Sequence, residues 1–295
     1  MLSETIQEKV KEVISAYTGE KEVIKKISAI GGGCINDAHR VDTHSGRYFV
    51  KYNHAGRYPG MFEVEAKGLQ ILREADAVYV PEVIGHDVAQ DISVLVLEFI
   101  DENTRQSDFW EAFGDGLARL HQNQPPEGKF GLDHDNYIGS LTQQNRYHDS
   151  WPEFFVNERI DPQLKMARDQ GKAGQEMVKL FDKMAARIPD FFPEEPPALL
   201  HGDLWSGNYM VGNQGQAVII DPAVYYGHRY MDLAMSKLFG GFNDPFYEAY
   251  NNAYPLEPSW QQSMDIANLY PLMVHVNLFG GGYAGSVKSI LRRFV

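Results

Sequence analysis

Residues 5–17 carry apolar side chains at Ile6, Val10, Val13, Ile14 and Tyr17, the three-and-four spacing of one helical face, with Gly19 as its stop. Residues 22–30 read as a strand. Two more strands, 38–43 and 47–52, flank His44-Ser45-Gly46, a hairpin turn. Helical spacing returns over residues 61–73, where Phe62, Ala66, Leu69 and Leu72 form the inward stripe. Strands at 79–84 and 93–99 follow. The run Val94-Leu95-Val96-Leu97 has no polar alternation, so the second of these strands is expected to be covered on both faces.

Beyond Asp101 the pattern turns helical. Residues 109–121 and 151–188 have helical spacing, with breaks in the second expected at Pro162 and Gly171. Residues 122–150 between them read as a polar, loop-rich stretch. Pro189, Pro193, Pro196 and Pro197 end the helical run, short strands at 208–211 and 217–220 flank a polar turn, and the remainder is mainly helical. The pattern predicts an α+β fold in two lobes, a small β-rich one over residues 1–100 and a larger, mainly helical one over 101–295.

The chemistry concentrates in His201-Gly202-Asp203-Leu204-Trp205-Ser206-Gly207-Asn208. Asp203 and Asn208 are five positions apart, the spacing of the base and the metal-binding Asn in a protein-kinase catalytic loop. Asp221 follows thirteen positions later, at the exit of Val218-Ile219-Ile220. A phosphoryl donor carries several negative charges, so a hard cation such as Mg²⁺ must be held by oxygen ligands, which Asn208 and Asp221 offer. A single carboxylate, Asp203, can orient a hydroxyl and take its proton. Asp, Asn and Gly also make ordinary turns; the ordered set favours chemistry over that reading.

Such a site also needs a phosphate cover, a lysine and its carboxylate. Gly31-Gly32-Gly33-Cys34-Ile35-Asn36 lies between two strands, as a phosphate-covering loop should, although it is not a full G-x-G-x-x-G. Lys51 ends the strand Tyr48-Phe49-Val50-Lys51. Glu65 is three from Phe62 and four from Leu69, beside the apolar stripe, whereas Glu63 shares its face with Lys67 and Gln70 and should be solvated. Glu65 is therefore the expected partner of Lys51. Main-chain groups of Glu98 and Ile100, where the apolar strand leaves the first lobe, are candidates to bond an adenine edge. ATP and Mg²⁺ are the expected cofactors. Trp205 is either a stacking face for a sugar or a core anchor, and His275, before Phe279-Gly280-Gly281-Gly282, is a candidate to approach the substrate.

Taken in order, these strings resemble the fructosamine kinase (ketosamine 3-kinase) family, which belongs with the aminoglycoside and choline kinases in the protein-kinase-like fold. The resemblance also rests on Val50-Lys51-Tyr52-Asn53, Met61-Phe62-Glu63-Val64-Glu65-Ala66, Asp221-Pro222-Ala223, Tyr226-Gly227-His228, Asp232-Leu233-Ala234 and Phe239-Gly240-Gly241-Phe242. Trp205-Ser206-Gly207 separates the chain from the wider aminoglycoside-kinase pattern. The resemblance implies a nucleotide-binding first lobe and a catalytic, substrate-binding second lobe. It also implies ATP-dependent phosphorylation of the sugar 3-hydroxyl of ketoamines, as small molecules or on glycated lysines, which destabilises the adduct and releases the amine. Carried over, Asp203 resembles the base, Asn208 and Asp221 the Mg²⁺ ligands, Lys51 and Glu65 the phosphate-positioning pair, and Asp232 a brace for the catalytic loop. Gly202 stands where protein kinases have Arg, Asp221-Pro222-Ala223 replaces D-F-G, and no A-P-E follows. Regulation by a phosphorylated activation loop is therefore not expected. Two alternatives stay open: a kinase of another amino-alcohol or aminoglycoside, and an inactive nucleotide-binding module.

Composition narrows the partners. With 27 Lys and Arg against 40 Asp and Glu, the formal charge is −13. That argues against nucleic acid or an anionic membrane as the partner. No apolar run approaches the roughly 20 residues of a membrane helix. The charged residues 1–17 lack a signal core, and one cysteine cannot form an internal disulfide, so a cytoplasmic protein is expected. Cys34 reads as a small apolar filler beside the nucleotide, an oxidisable thiol being the alternative. Oligomeric state is left open by the sequence.

Overall fold

The computed structural model describes residues 2–31 and 36–295. They form two compact units, Met1–Phe109 with Met210–Asp221, and Trp110–Tyr209 with Pro222–Val295.

In the first unit, helix α1 (Glu4–Thr18) starts at Ser3, whose hydroxyl accepts from Ile6 N–H, and stops at Gly19 in the left-handed region at φ 75°. Strands β1 (Lys26–Ile30), β2 (Asp37–Asp42) and β3 (Arg47–His54) lead to helix α2 (Met61–Glu74), then β4 (Val83–Ala89) and β5 (Ile92–Glu98). The five strands make one antiparallel sheet in the order β1-β2-β3-β5-β4. Ile6, Val10, Val13 and Ile14 of α1 pack with Val41, Tyr48, Val50, Val94 and Val96 of the sheet. At about 25 cal/mol per Å² of apolar surface, such a layer is the main stabilising term of this unit. Tyr17, expected on the buried stripe, is 49% exposed and donates its hydroxyl to Glu82 Oε1 at 2.9 Å.

Two strand expectations shift. The segment 22–30 becomes strand only from Lys26, because buried Glu22 instead accepts from His44 and Ser45 N–H in the β2–β3 turn, at 3.2 and 3.4 Å. The segment 79–84 is strand only from Val83; Pro81 has no N–H to give a ladder. Tyr79 makes a single parallel bridge to Val218, with Ile219 N–H donating to Tyr79 O at 3.0 Å. That bridge, with Gln106 N–H to Gly215 O and Asn103 Nδ2 to Asn213 O, attaches residues 210–221 to the first unit.

The second unit takes up helix α3 (Phe109–His121) from Trp110 onward. The stretch expected as loop contains a hairpin, β6 (Asn136–Ile138) and β7 (Leu141–Gln143), whose Asn136 and Gln143 side chains donate to Val224 O and Ala223 O. Helix α4 (Trp151–Phe154) continues through a π-helical turn (Phe155–Ile160) into α5 (Asp161–Asp169), with no break at Pro162. Proline lacks an N–H, and here it falls at the first turn of α5, just after the widened turn, where that loss is tolerated. Gly171, at φ 70°, does end the run. Helices α6 (Gln175–Ala185) and α7 (Ile188–Phe191) precede β8 (Ala198–Leu200). The hairpin β9 (Tyr209–Val211) and β10 (Ala217–Ile219) comes next in the chain but belongs, from Met210 onward, to the first unit, and β11 (Tyr225–Gly227), in the second unit again, pairs antiparallel with β8. Helices α8 (Tyr230–Leu238), α9 (Asp244–Ala253), α10 (Trp260–Ala267), α11 (Leu269–Phe279) and α12 (Tyr283–Phe294) complete it. Among the described residues no helix is long and apolar enough to cross a membrane.

Candidate active site

In the first unit the pleat of β3 decides which side chain enters chemistry. Tyr48 and Val50 face α1, so Lys51 faces the other side, toward α2. Lys51 is only 6% exposed and lies three residues inside the end of its strand, not at its end as the sequence suggested. Its Nζ donates to Glu65 Oε1 at 2.7 Å and to Asp221 Oδ1 at 2.6 Å. Burial alone would lower its pKa; Asp221 and then Glu65 outweigh that and raise it above the usual lysine value. Glu63 pairs with Lys67 on the outer face. Asp221 has a side chain 48% exposed and sits at φ 54°, a left-handed conformation that Asp tolerates better than most residues. The Glu98 carboxylate accepts from Tyr79 Oη–H and Glu82 N–H, while its own N–H donates to Glu82 O. Ile100 is half-buried in coil just past β5. Gly31 is exposed, and Asn36 Oδ1 accepts from Asn53 Nδ2 at 2.9 Å; Gly32, Gly33, Cys34 and Ile35 lie outside the described residues.

In the second unit the loop 201–208 is held from below by Asp232 of α8. Its Oδ2 accepts from His201 N–H at 2.7 Å and its Oδ1 from Gly202 N–H at 2.9 Å. Gly202 has φ 83°, and a Cβ there would come within 1.9 Å of Ala223 O, so the loop admits no side chain at this position. Asp203 N–H donates to His201 Nδ1 at 3.2 Å. Asn208 donates its Nδ2 to Asp203 O at 2.8 Å and to Asp203 Oδ2 at 3.0 Å, which orients the carboxylate and turns the amide oxygen of Asn208 the other way. Trp205 is half-buried, edge-on to Phe239 with ring centroids 6.0 Å apart, and covers Gly207, where a Cβ would meet its ring at 2.4 Å. His275 stands 4.8 Å from Phe239 and 5.0 Å from Tyr283, ring to ring. Its Nδ1 donates to Pro271 O at 2.8 Å and burial lowers its pKa, so Nε2 carries a lone pair and accepts.

The structure thus brings Lys51, Glu65 and Asp221 together in one unit, and Asp203 with Asn208 in the other. A family profile for fructosamine kinase matches residues 6–295. The chain belongs to the fructosamine kinase family. It is similar to a probable ketoamine kinase of Synechocystis sp., 39% identical with 95% of this chain and 94% of that one covered. It is also similar to the chloroplastic protein-ribulosamine 3-kinase of Arabidopsis thaliana, 39% identical over 92% of this chain and 83% of that one. A crystal structure described as a fructosamine-3-kinase from Haemophilus somnus superposes with a TM-score of 0.88 at 29% identity, covering 96% of each chain. Solved aminoglycoside phosphotransferases share the protein-kinase-like fold at identities that speak for the fold alone. The chain is an ATP-dependent kinase that acts on ketosamines.

For a kinase of this family, the sequence reading missed His121. It is fully buried, with Nε2 3.3 Å from Asp232 Oδ2 and Nδ1 2.8 Å from the Tyr250 hydroxyl, and so links α9 to the loop brace. The signal was present, since His121 lies four residues beyond Leu117 on the apolar face of α3. Among the described residues no three His, Cys, Asp or Glu gather as a metal cage. Asp221 in the first unit and Asn208 in the second each carry an oxygen donor of the kind a hard cation takes.

Proposed function

We propose that this kinase phosphorylates the 3-hydroxyl of ketoamine sugars, on small amines or glycated lysines, in the cytoplasm. The phosphorylated adduct then decomposes and frees the amine. The observation that carries the reading is the Asp203–Asn208 contact on a loop braced by Asp232. It presents one oriented carboxylate to a hydroxyl, which is what a late proton transfer requires. In this reading Asp203 orients the sugar hydroxyl and accepts its proton. Lys51, kept charged by Glu65, pairs with donor phosphates, and the segment 31–36 covers them. Main-chain groups of Glu98 and Ile100 meet the adenine. Residues 1–100, joined by the segment 210–221, serve the nucleotide and the rest of residues 101–295 the sugar. Asp221 and Asn208 would hold Mg²⁺, which neutralises phosphate charge. Trp205 offers a face to the sugar, and His275 Nε2 accepts from the substrate amine.

The test is ADP release by purified protein with Mg-ATP and lysine adducts of ribulose, erythrulose and fructose, beside an aminoglycoside and choline. Turnover of the adducts is expected; turnover of only the last two compounds overturns the proposal. Asp203→Asn should keep ATP binding and lose about 10²–10⁴-fold in kcat. Near-parental kcat would show that Asp203 is not the base.

A further inference from the structure

From Trp205, two residues past Asp203, an aromatic wall runs along the second unit through Phe239 and His275 to Phe279 and Tyr283. Ser206 ties the loop to it by donating its hydroxyl to Phe239 O at 3.0 Å. The His275 ring lies 5.4 Å from Phe279 and 5.0 Å from Tyr283, yet Phe279 is 60% exposed. A ring that open contributes little to the core, and it is continuous with rings that are not open.

The ground beside it is bare. A Cβ at Gly280, Gly281, Gly282 or Gly285 would meet nothing within 4 Å. Gly280 and Gly281 have φ of 67° and 63°, which accounts for glycine in the turn. Gly285 has no such excuse. It is an exposed residue in the first turn of α12 with no positive φ and no close neighbour, where alanine would favour the helix more than glycine does. Neither packing nor backbone geometry explains it, whereas close approach by an outside chain does.

We propose that Phe279, Tyr283 and the glycine surface at the start of α12 receive the carrier of the ketoamine, the lysine side chain and adjoining main chain of a glycated peptide. The inference rests on the ketoamine reading above and adds which part of the substrate lies where. With the sugar at Asp203 and the amine at His275 Nε2, the lysine methylenes run outward over Tyr283 and Phe279. The peptide backbone passes over Gly282 and Gly285, where only glycine leaves room. An aliphatic stem on aromatic faces needs no charge or hydrogen bond, so the wall accepts lysine in many peptide contexts.

The experiment compares two substrates, a ribulose adduct of methylamine and the same adduct on a lysine-containing peptide, with parent, Phe279→Ser and Gly285→Gln. For the peptide, KM should rise at least fivefold in each variant; for the methylamine adduct it should stay within twofold. Gly285→Gln should melt no lower than the parent, so its effect cannot be misfolding. Equal KM changes on both substrates, or none on the peptide, would overturn the carrier assignment. If the parent turns over neither adduct, the ketoamine reading falls first and takes this inference with it.

Discussion

Asp232 is the residue whose loss should separate loop geometry from everything else in this kinase. It is 1% exposed, and its two oxygens serve His201 N–H, Gly202 N–H and His121. Asp232→Asn keeps the shape but replaces one oxygen by a donor. With Nδ2 in the Oδ1 position it faces Gly202 N–H, donor against donor. In the Oδ2 position it faces His201 N–H, with His121 Nε2 as a possible acceptor, so this flip is the cheaper one. Either way one buried main-chain N–H loses a charged acceptor. A hydrogen bond to a charged group is worth about 1.5–3 kcal/mol, and the remaining bond weakens with the charge gone. A destabilisation of about 2–4 kcal/mol follows, and at about 2–4 °C per kcal/mol the melting temperature falls by about 5–15 °C.

The activity effect follows from the same bonds. His201 and Gly202 immediately precede Asp203, so a relaxed main chain misplaces the carboxylate proposed as the base. Displacement of about 1 Å can cost about 10²-fold in rate. The assay is a thermal melt without nucleotide, beside kcat and KM for ATP on a ketoamine. KM for ATP should hold within threefold, because Lys51, Glu65 and Asp221 belong to the other unit. A variant that melts within 2 °C of the parent and keeps kcat within threefold would refute the brace.

Glu65→Gln removes one of the two charges that hold Lys51; KM for ATP should rise about tenfold in steady-state kinetics, and a change under twofold would contradict the pair's role. His228 predicts acid sensitivity. It is buried, its Nε2 lies 3.2 Å from Pro193 O as donor, and its Nδ1 accepts from Tyr230 N–H at 3.3 Å, so a second proton has no acceptor. Burial depresses its pKa to about 4. The unfolded chain, with a pKa near 6.5, binds the proton first, so stability is complete above that value. It is lost as pH falls from about 6.5 toward 4, by up to about 3 kcal/mol. Denaturant midpoints at pH 7 and pH 4.5 would test this: the loss should shrink in His228→Gln, and an unchanged loss would mean that other groups set the acid limb.

What could be read from the sequence followed the reach of each signal. Helices α1 and α2 were legible because their stripes bury against one sheet, and Glu65 was chosen over Glu63 by the same spacing. The hairpin β6–β7 was not legible. Its Asn136 and Gln143 are polar, and they are buried to hold the main chain at Ala223 and Val224, a long-range need that local periodicity does not encode. Pro162 misled for a related reason, since a widened helical turn upstream leaves room for a residue without an N–H. Glu22 left its strand for a turn that approaches only when β2 and β3 pair. The spacing of Asp203, Asn208 and Asp221 was legible, but the carriage of Asp221 by the first unit was not, because contacts to Tyr79 and the segment 103–106 decide it.

That carriage bears on how an acidic protein binds an anionic nucleotide. Around Lys51 one ammonium faces two carboxylates, and the pocket is nearly closed on its Glu65 side. Of these two carboxylates, Asp221 is the one with an open side, 48% exposed against 12% for Glu65. In the function proposed above, Lys51 exchanges the more open Asp221 for phosphate oxygens while Glu65 stays in place. On that proposal Asp221 is released toward a cation, and Lys51 keeps a counter-charge throughout. The −13 of the whole chain is no obstacle to this, because charges beyond about 8–10 Å are screened at physiological salt, while those around Lys51 are not.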